Sequence, residues 1–168
     1  MVKKILLILG TIIFFGGLAS AFQFYSPNIA DPDSFYHIKH ALIYRTQGLW
    51  DSSFPWAQFS IIKEYGADIW YGFHVFLIPF TYFSDLTLGI KIAGIVITLT
   101  TLLILSWAMI RLKIRWPMFW PVLFLFSAPD VAYRLIMPRP HNLSLALTMR
   151  AFSFFITGGW IPILVLSA

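Results

Sequence analysis

From Ile5 to Phe24 the chain carries no charged residue, and Lys3 and Lys4 stand immediately before this stretch. About 20 apolar residues make roughly 30 Å of helix, which matches the hydrocarbon thickness of a bilayer. The positive-inside bias puts the two lysines, and so the amino terminus, on the cytoplasmic face. A cleaved signal peptide is the rival reading, since a basic start, an apolar run from Ile5 to Leu18 and the small residues Ala19-Ser20-Ala21 fit that pattern too. The remaining chain favours a retained anchor: of its 168 residues 59% are hydrophobic and only 11% charged, more apolar surface than one soluble core can hide. On either reading Asp31 falls on the outer face.

The net charge of +5 is a topological signal. Lys and Arg cluster beside apolar runs instead of forming a basic stripe with interleaved aromatics, so no nucleic-acid partner is expected and the lipid bilayer is. The absence of Cys excludes disulfides and thiolate metal sites.

Between residues 25 and 85 the character changes. Six of the seven acidic residues lie here, with Pro27, Pro32 and Pro55 and only short apolar runs. This predicts a large external loop with its own short helices. Asp33 or Ser34 can cap a helix over residues 35–46 by accepting from first-turn amides, and Gly48 is a natural stop. The aromatic-rich pieces at 50–56 and 69–83 suit the membrane interface, and the second, holding Pro79, is short for a span. Residues 86–110 predict a second span in which Lys91 snorkels near the outer end. Arg111, Lys113 and Arg115 then mark the cytoplasmic face.

Residues 117–137 can return outward and 143–162 inward, around a turn at Pro138-Arg139-Pro140-His141-Asn142 where proline forbids helix continuation. Asp130 and Arg134 are four apart and can pair on one helix face. Arg150 has no local acidic partner and is a candidate for an anionic ligand. The chain ends apolar, which reads as the amino-terminal part of a longer polytopic protein or a small protein needing partner membrane helices. The expected fold is therefore all-α: a single polytopic membrane domain over 1–168, with about four transmembrane helices and a large first external loop.

Asp31 and Asp33, one residue apart just outside the first span, can both bind a hard divalent cation (Mg or Mn) through oxygen, and such a cation can neutralise a diphosphate leaving group. Their setting, Asp31-Pro32-Asp33-Ser34-Phe35-Tyr36-His37-Ile38-Lys39, resembles the GT-C class of membrane glycosyltransferases. The likeness is nearest to the catalytic subunit of oligosaccharyltransferase in its archaeal and bacterial forms, whose first external loop carries an acidic residue followed by a Tyr-His pair and a basic residue. The likeness covers about ten residues tightly and the order of spans loosely. It implies transfer of a sugar from a polyprenyl-phosphate-linked donor on the outer face, protein glycosylation being the family's activity. It also implies that Asp33, with Asp31, is catalytic and binds metal. A second acidic motif is implied between the third and fourth spans. The chain has Pro138-Arg139-Pro140-His141-Asn142 there, with His141 as a nitrogen ligand and Arg139, with Arg150, to grip phosphate. The missing carboxylates favour a different member of the wider class.

His37 and His40 share a helix face and can join Asp33 in a metal shell, while interfacial placement is their commoner role. His74 reads as a packing residue, and Tyr36 and Trp70 as interface anchors or stacking platforms. Two other function classes stay open: a non-catalytic membrane subunit, and a transporter fragment in which Asp130, Arg134 and Arg150 line a pathway. The latter needs discontinuous helices or a repeat, neither of which the sequence displays.

Overall fold

The computed structural model describes residues 2–29, 31–50 and 68–158, and every regular element among them is helical. The chain divides into two compact units, Asp31–Ala93 on one side and Met1–Ala30 with Gly94–Ala168 on the other.

In the unit Asp31–Ala93, helix α2 spans Asp33–Gln47, α3 spans Tyr71–Leu77, a 3₁₀ turn covers Ile78–Tyr82, and the long helix Leu86–Arg111 (α4) begins. Helix α1, Val2–Phe24, precedes them in the other unit. The start of α2 is held by Asp31, not by Asp33 or Ser34 as expected. Its carboxylate accepts the Asp33 amide at 3.3 Å, one of the backbone donors that a helix start leaves orphaned, and the Ser34 hydroxyl at 3.4 Å. Gly48 ends α2 at φ 117°, a backbone state disfavoured for any residue with a Cβ, while its N–H donates to the Tyr44 carbonyl. Arg45 ties α2 to the 3₁₀ turn by donating to the Thr81 carbonyl at 2.6 Å, with its guanidinium over the Tyr82 ring. Ile38, Ala41, Leu77, Ile90 and Ala93 form the fully buried apolar core of the unit. Lys91, expected to snorkel, is buried.

The other unit holds α1, the remainder of α4, and helices α5 (Phe119–Leu125), α6 (Pro129–Ile136) and α7 (Pro140–Ile156). Helix α4 closes with Lys113 in the left-handed region at φ 56°. The Lys113 amide donates to the Ile110 carbonyl and the Ile114 amide to that of Met109, the bond pair of a Schellman cap. The stretch 117–137, expected as one span, is two short helices bent by 100°. Proline at residue 129 disfavours helical geometry at Ala128, which is extended (φ −157°, ψ 150°), and the helix breaks there. Asn142 repairs the next turn: its buried amide donates to the carbonyls of Arg134, Leu135 and Met137 at 3.0, 3.3 and 2.6 Å. Thr98 adds a bond to the Leu135 carbonyl at 2.7 Å, and the Gln23 amide donates to that of Ile136. The last carbonyls of α6, which no intrahelical partner reaches, are thereby satisfied by side chains.

The Ile5–Phe24 stretch of α1 and the 26-residue α4 are long and apolar enough to cross a membrane, and the bent pair α5–α6 makes a third if it counts as one span. These helices mark a membrane protein. Helix α7, 17 residues long, covers residues 143–156 of the fourth expected span. Thr157 and Gly158 form a turn, the end of that span falls in residues 159–162, and the expected interfacial piece at 50–56 falls almost wholly in 51–67. Both lie outside the described residues.

Candidate functional site

The unit Asp31–Ala93 buries a cluster of ionisable side chains. The inner face of α2 carries His37 and His40 three residues apart and Tyr44 one turn further, spacing that stacks side chains along one side of a helix. Helix α3 brings His74 opposite them, and Asp68 sits just before α3. The Asp68 Oδ1 accepts the Trp70 amide at 2.9 Å, an Asx turn that starts the helix and fixes the carboxylate. Its other oxygen, Oδ2, accepts from Tyr44 Oη at 2.7 Å and lies 2.6 Å from His74 Nδ1. The far nitrogen of that ring, Nε2, is 2.8 Å from His37 Nδ1. Asp68, His74 and His37 thus form a continuous hydrogen-bonded chain.

His40 stacks on His74 with ring centroids 4.4 Å apart, and its Nε2 is 3.9 Å from the same Asp68 oxygen. Tyr36 meets His40 and His74 edge-on. The side chains of His40 and His74 are 0% exposed and that of Asp68 2%, so the cluster is dry and its charges are poorly screened. Burial alone would push the Asp68 carboxyl up. The bonds from His74 and Tyr44, the nearby His74 charge and the Trp70 amide outweigh it and hold the group at about 2. Burial, then the Asp68 charge, pushes the Tyr36 phenol up to about 12, and burial with the Asp68 hydrogen bond raises that of Tyr44 too. A carboxylate held anionic behind a histidine fixes the ring's tautomer and leaves the opposite nitrogen basic, an arrangement suited to moving a proton or presenting a ligand.

His40, Asp68 and His74 bring ligating atoms within 4.8 Å of one another, the one such metal-capable group among the described residues. It differs from the expected set. Asp31 is 1% exposed and spends its oxygens capping α2, whereas Asp33, in the first turn, is exposed. For the cation implied by the family resemblance, Asp33 is thus the accessible carboxylate of the pair. His141, exposed, and Arg139, half-buried, stand at the start of α7 in the other unit, with Arg150 exposed further along the same helix. Arg139 and Arg150 are about 16 Å apart along α7 at 1.5 Å per residue, too far to grip one phosphate together. Arg150 instead lies over the Trp107 ring at 5.8 Å. Asp130 and Arg134 pair at 2.8 Å on one helix face as expected, and both are well exposed.

His37 and His40 do share a face, but the carboxylate His40 meets is Asp68 rather than Asp33, and His37 reaches it through His74. His74, expected to pack, engages both ring nitrogens. Asp68 escaped sequence reasoning because Tyr44 and His40 lie 24 and 28 positions earlier in the chain, and His74, six positions later, read as a packing residue. The one local signal was an acidic residue two before Trp70, at the mouth of a helix that carries a histidine. Comparison with protein-family models, curated proteins and solved structures finds no match to this chain.

Proposed function

We propose that this chain is a membrane glycosyltransferase of the GT-C kind, or the amino-terminal part of one, transferring a sugar or oligosaccharide from a polyprenyl-phosphate-linked donor to an acceptor on the outer face. Four spans cross the bilayer in this reading: α1, α4, the α5–α6 pair, and the stretch that begins with α7, with the amino terminus inside. One observation carries it. Helix α2 holds an exposed Asp33 in its first turn while, further along the helix, His37 and His40 are locked against Asp68 and His74. An acid destined to activate an acceptor works best on a rigid element whose supporting side chains are themselves hydrogen-bonded, and this arrangement supplies that support. The placement of the unit, directly after a span-length apolar helix that starts with two lysines, supports the outer face. A divalent cation at Asp33 would offset charge on the leaving group.

The test is sugar transfer by membranes containing the full reading frame. Asp33→Ala, with expression and membrane insertion unchanged, should lower transfer at least about 100-fold, the usual scale for loss of a positioned acid or base. Unchanged transfer would reject the role. A non-catalytic subunit is the second reading, favoured by the largely unburied α1, only 17% of whose apolar window is covered within the chain. Co-purification with a larger membrane partner and indifference to Asp33→Ala would select it.

A further inference from the structure

We infer that His40, Asp68 and His74 form a binding site for a borderline-soft divalent cation of the zinc class, separate from the Asp31–Asp33 turn. Two imidazoles and one carboxylate are a set that suits Zn²⁺ and its neighbours better than Mg²⁺, which prefers oxygen ligands and keeps its waters. Three protein ligands with a fourth position for water or substrate is also the make-up of catalytic zinc sites.

The distances straddle the requirement. Ligands about 2.0–2.1 Å from a tetrahedral ion are roughly 3.3 Å from one another. The contact between His74 Nδ1 and Asp68 Oδ2 is 2.6 Å, and that between His40 Nε2 and the same oxygen is 3.9 Å. One must open and the other close by about 0.6–0.7 Å, and the His40 and His74 rings, stacked 24° from parallel, must turn so that their in-plane lone pairs converge on the ion. The outer shell is already built. His74 turns its second nitrogen to His37 Nδ1 at 2.8 Å, and Asp68 is oriented by the Trp70 amide at 2.9 Å and the Tyr44 hydroxyl at 2.7 Å. Metal-ligating histidines and carboxylates characteristically have such partners, which set the tautomer and aim the lone pair.

Loading requires a defined proton movement. Nδ1 of His74 must offer its lone pair to the ion, so the ring carries its proton on Nε2 and donates it to His37 Nδ1. Any proton held between His74 and Asp68 leaves to solvent as the ion enters. A plain buried salt bridge would need only Asp68 and one histidine. The second imidazole, stacked at 4.4 Å with its nitrogen toward the same oxygen, is what points to an ion.

The test needs no sugar donor and so stands or falls apart from the glycosyltransferase reading. The purified full-length protein in detergent is stripped with a chelator, exchanged into clean buffer and titrated with Zn²⁺ or Co²⁺, with bound metal measured by elemental analysis and the visible bands of four-coordinate Co²⁺ recorded. One equivalent per chain with four-coordinate bands is expected. His40→Gln and Asp68→Asn, close in shape to the originals, should abolish both signals while helicity and elution volume are kept. His37→Gln should leave one equivalent and weaken binding about 10- to 100-fold. Asp31→Asn and Asp33→Asn should bind like wild type. The inference is overturned if the wild-type chain takes up no stoichiometric metal, if uptake survives both His40→Gln and Asp68→Asn, or if it vanishes with Asp31→Asn or Asp33→Asn while His40, Asp68 and His74 are intact.

Discussion

Replacing Asp68 with Asn changes one oxygen for an amide and removes one buried negative charge, so its consequences can be worked through from the contacts. In the metal-free protein the carboxylate accepts from Tyr44, from His74 and from the Trp70 amide, and its pKa is drawn from 3.8 to about 2. At 1.36 kcal/mol per pKa unit the folded state binds the ionised form preferentially by about 2 kcal/mol. The side chain is 2% exposed, so this preference is little screened by water. A lowered pKa contributes stability that is fully present above the unfolded value, near pH 4, and disappears as pH falls through about 2. Asp68→Asn keeps neutral hydrogen bonds, because His74 can switch tautomer to accept and Tyr44 can turn its hydroxyl, but it loses the charge-assisted share. The expected gap between wild type and variant is about 2 kcal/mol at neutral pH, or roughly 4–8 °C in Tm for a chain of this size. The gap should close as pH approaches about 2. Thermal unfolding of detergent-solubilised protein in excess chelator, followed by circular dichroism across that pH range, measures it directly. The Tyr36 phenol, pushed up first by burial and then by the Asp68 charge, should titrate lower in the variant by ultraviolet absorbance. A gap that stays constant with pH, or no gap at all, would refute the description of Asp68 as a charged hub.

Three further outcomes are expected elsewhere in the chain. Asn142→Ala should destabilise the protein by about 1–3 kcal/mol, read as a Tm shift, because the Arg134 carbonyl loses its side-chain donor and those of Leu135 and Met137 each lose one of two. Lys113→Gly should stabilise by about 1 kcal/mol in the same assay, since a residue with a Cβ at φ 56° carries a strain that glycine does not. Single cysteines in this cysteine-free chain should divide by membrane face: in intact cells, an impermeant thiol reagent should label Asp33→Cys and spare Lys113→Cys, and the reverse pattern would invert the topology.

How much of this was legible in the sequence depends on the range of the interactions involved. The two span-length helices were, because about twenty apolar residues with at most one interrupting lysine leave few alternatives, and the end of α2 at Gly48 was, because only local backbone geometry decides it. The choice of Asp31 over Asp33 as cap was a near miss of two residues, since either carboxylate can reach first-turn amides and the register depends on which one is buried. The break of 117–137 was readable in Pro129, whose effect on Ala128 is local, but the apolar count alone hid it. The His–Asp cluster was half legible. The spacing of His37 and His40 fixes a shared face, yet nothing in the sequence says that the face turns to Asp68 and His74, residues brought there by the packing of α2 against α3. Sequence reasoning paired the histidines with the nearest carboxylate in the chain, and the fold pairs them with a distant one.

The central claim is that this unit supports sugar transfer from a lipid-linked donor. The most direct measurement supplies the purified full-length protein in lipid with a radiolabelled polyprenyl-diphosphate sugar and an acceptor mixture, with and without a divalent cation. Loss of label from the lipid fraction into acceptor is expected, with a large fall in Asp33→Asn and a smaller fall in Asp68→Asn through loosened support of α2. Label that stays on the lipid under every condition, or that moves equally well in Asp33→Asn, would contradict the claim.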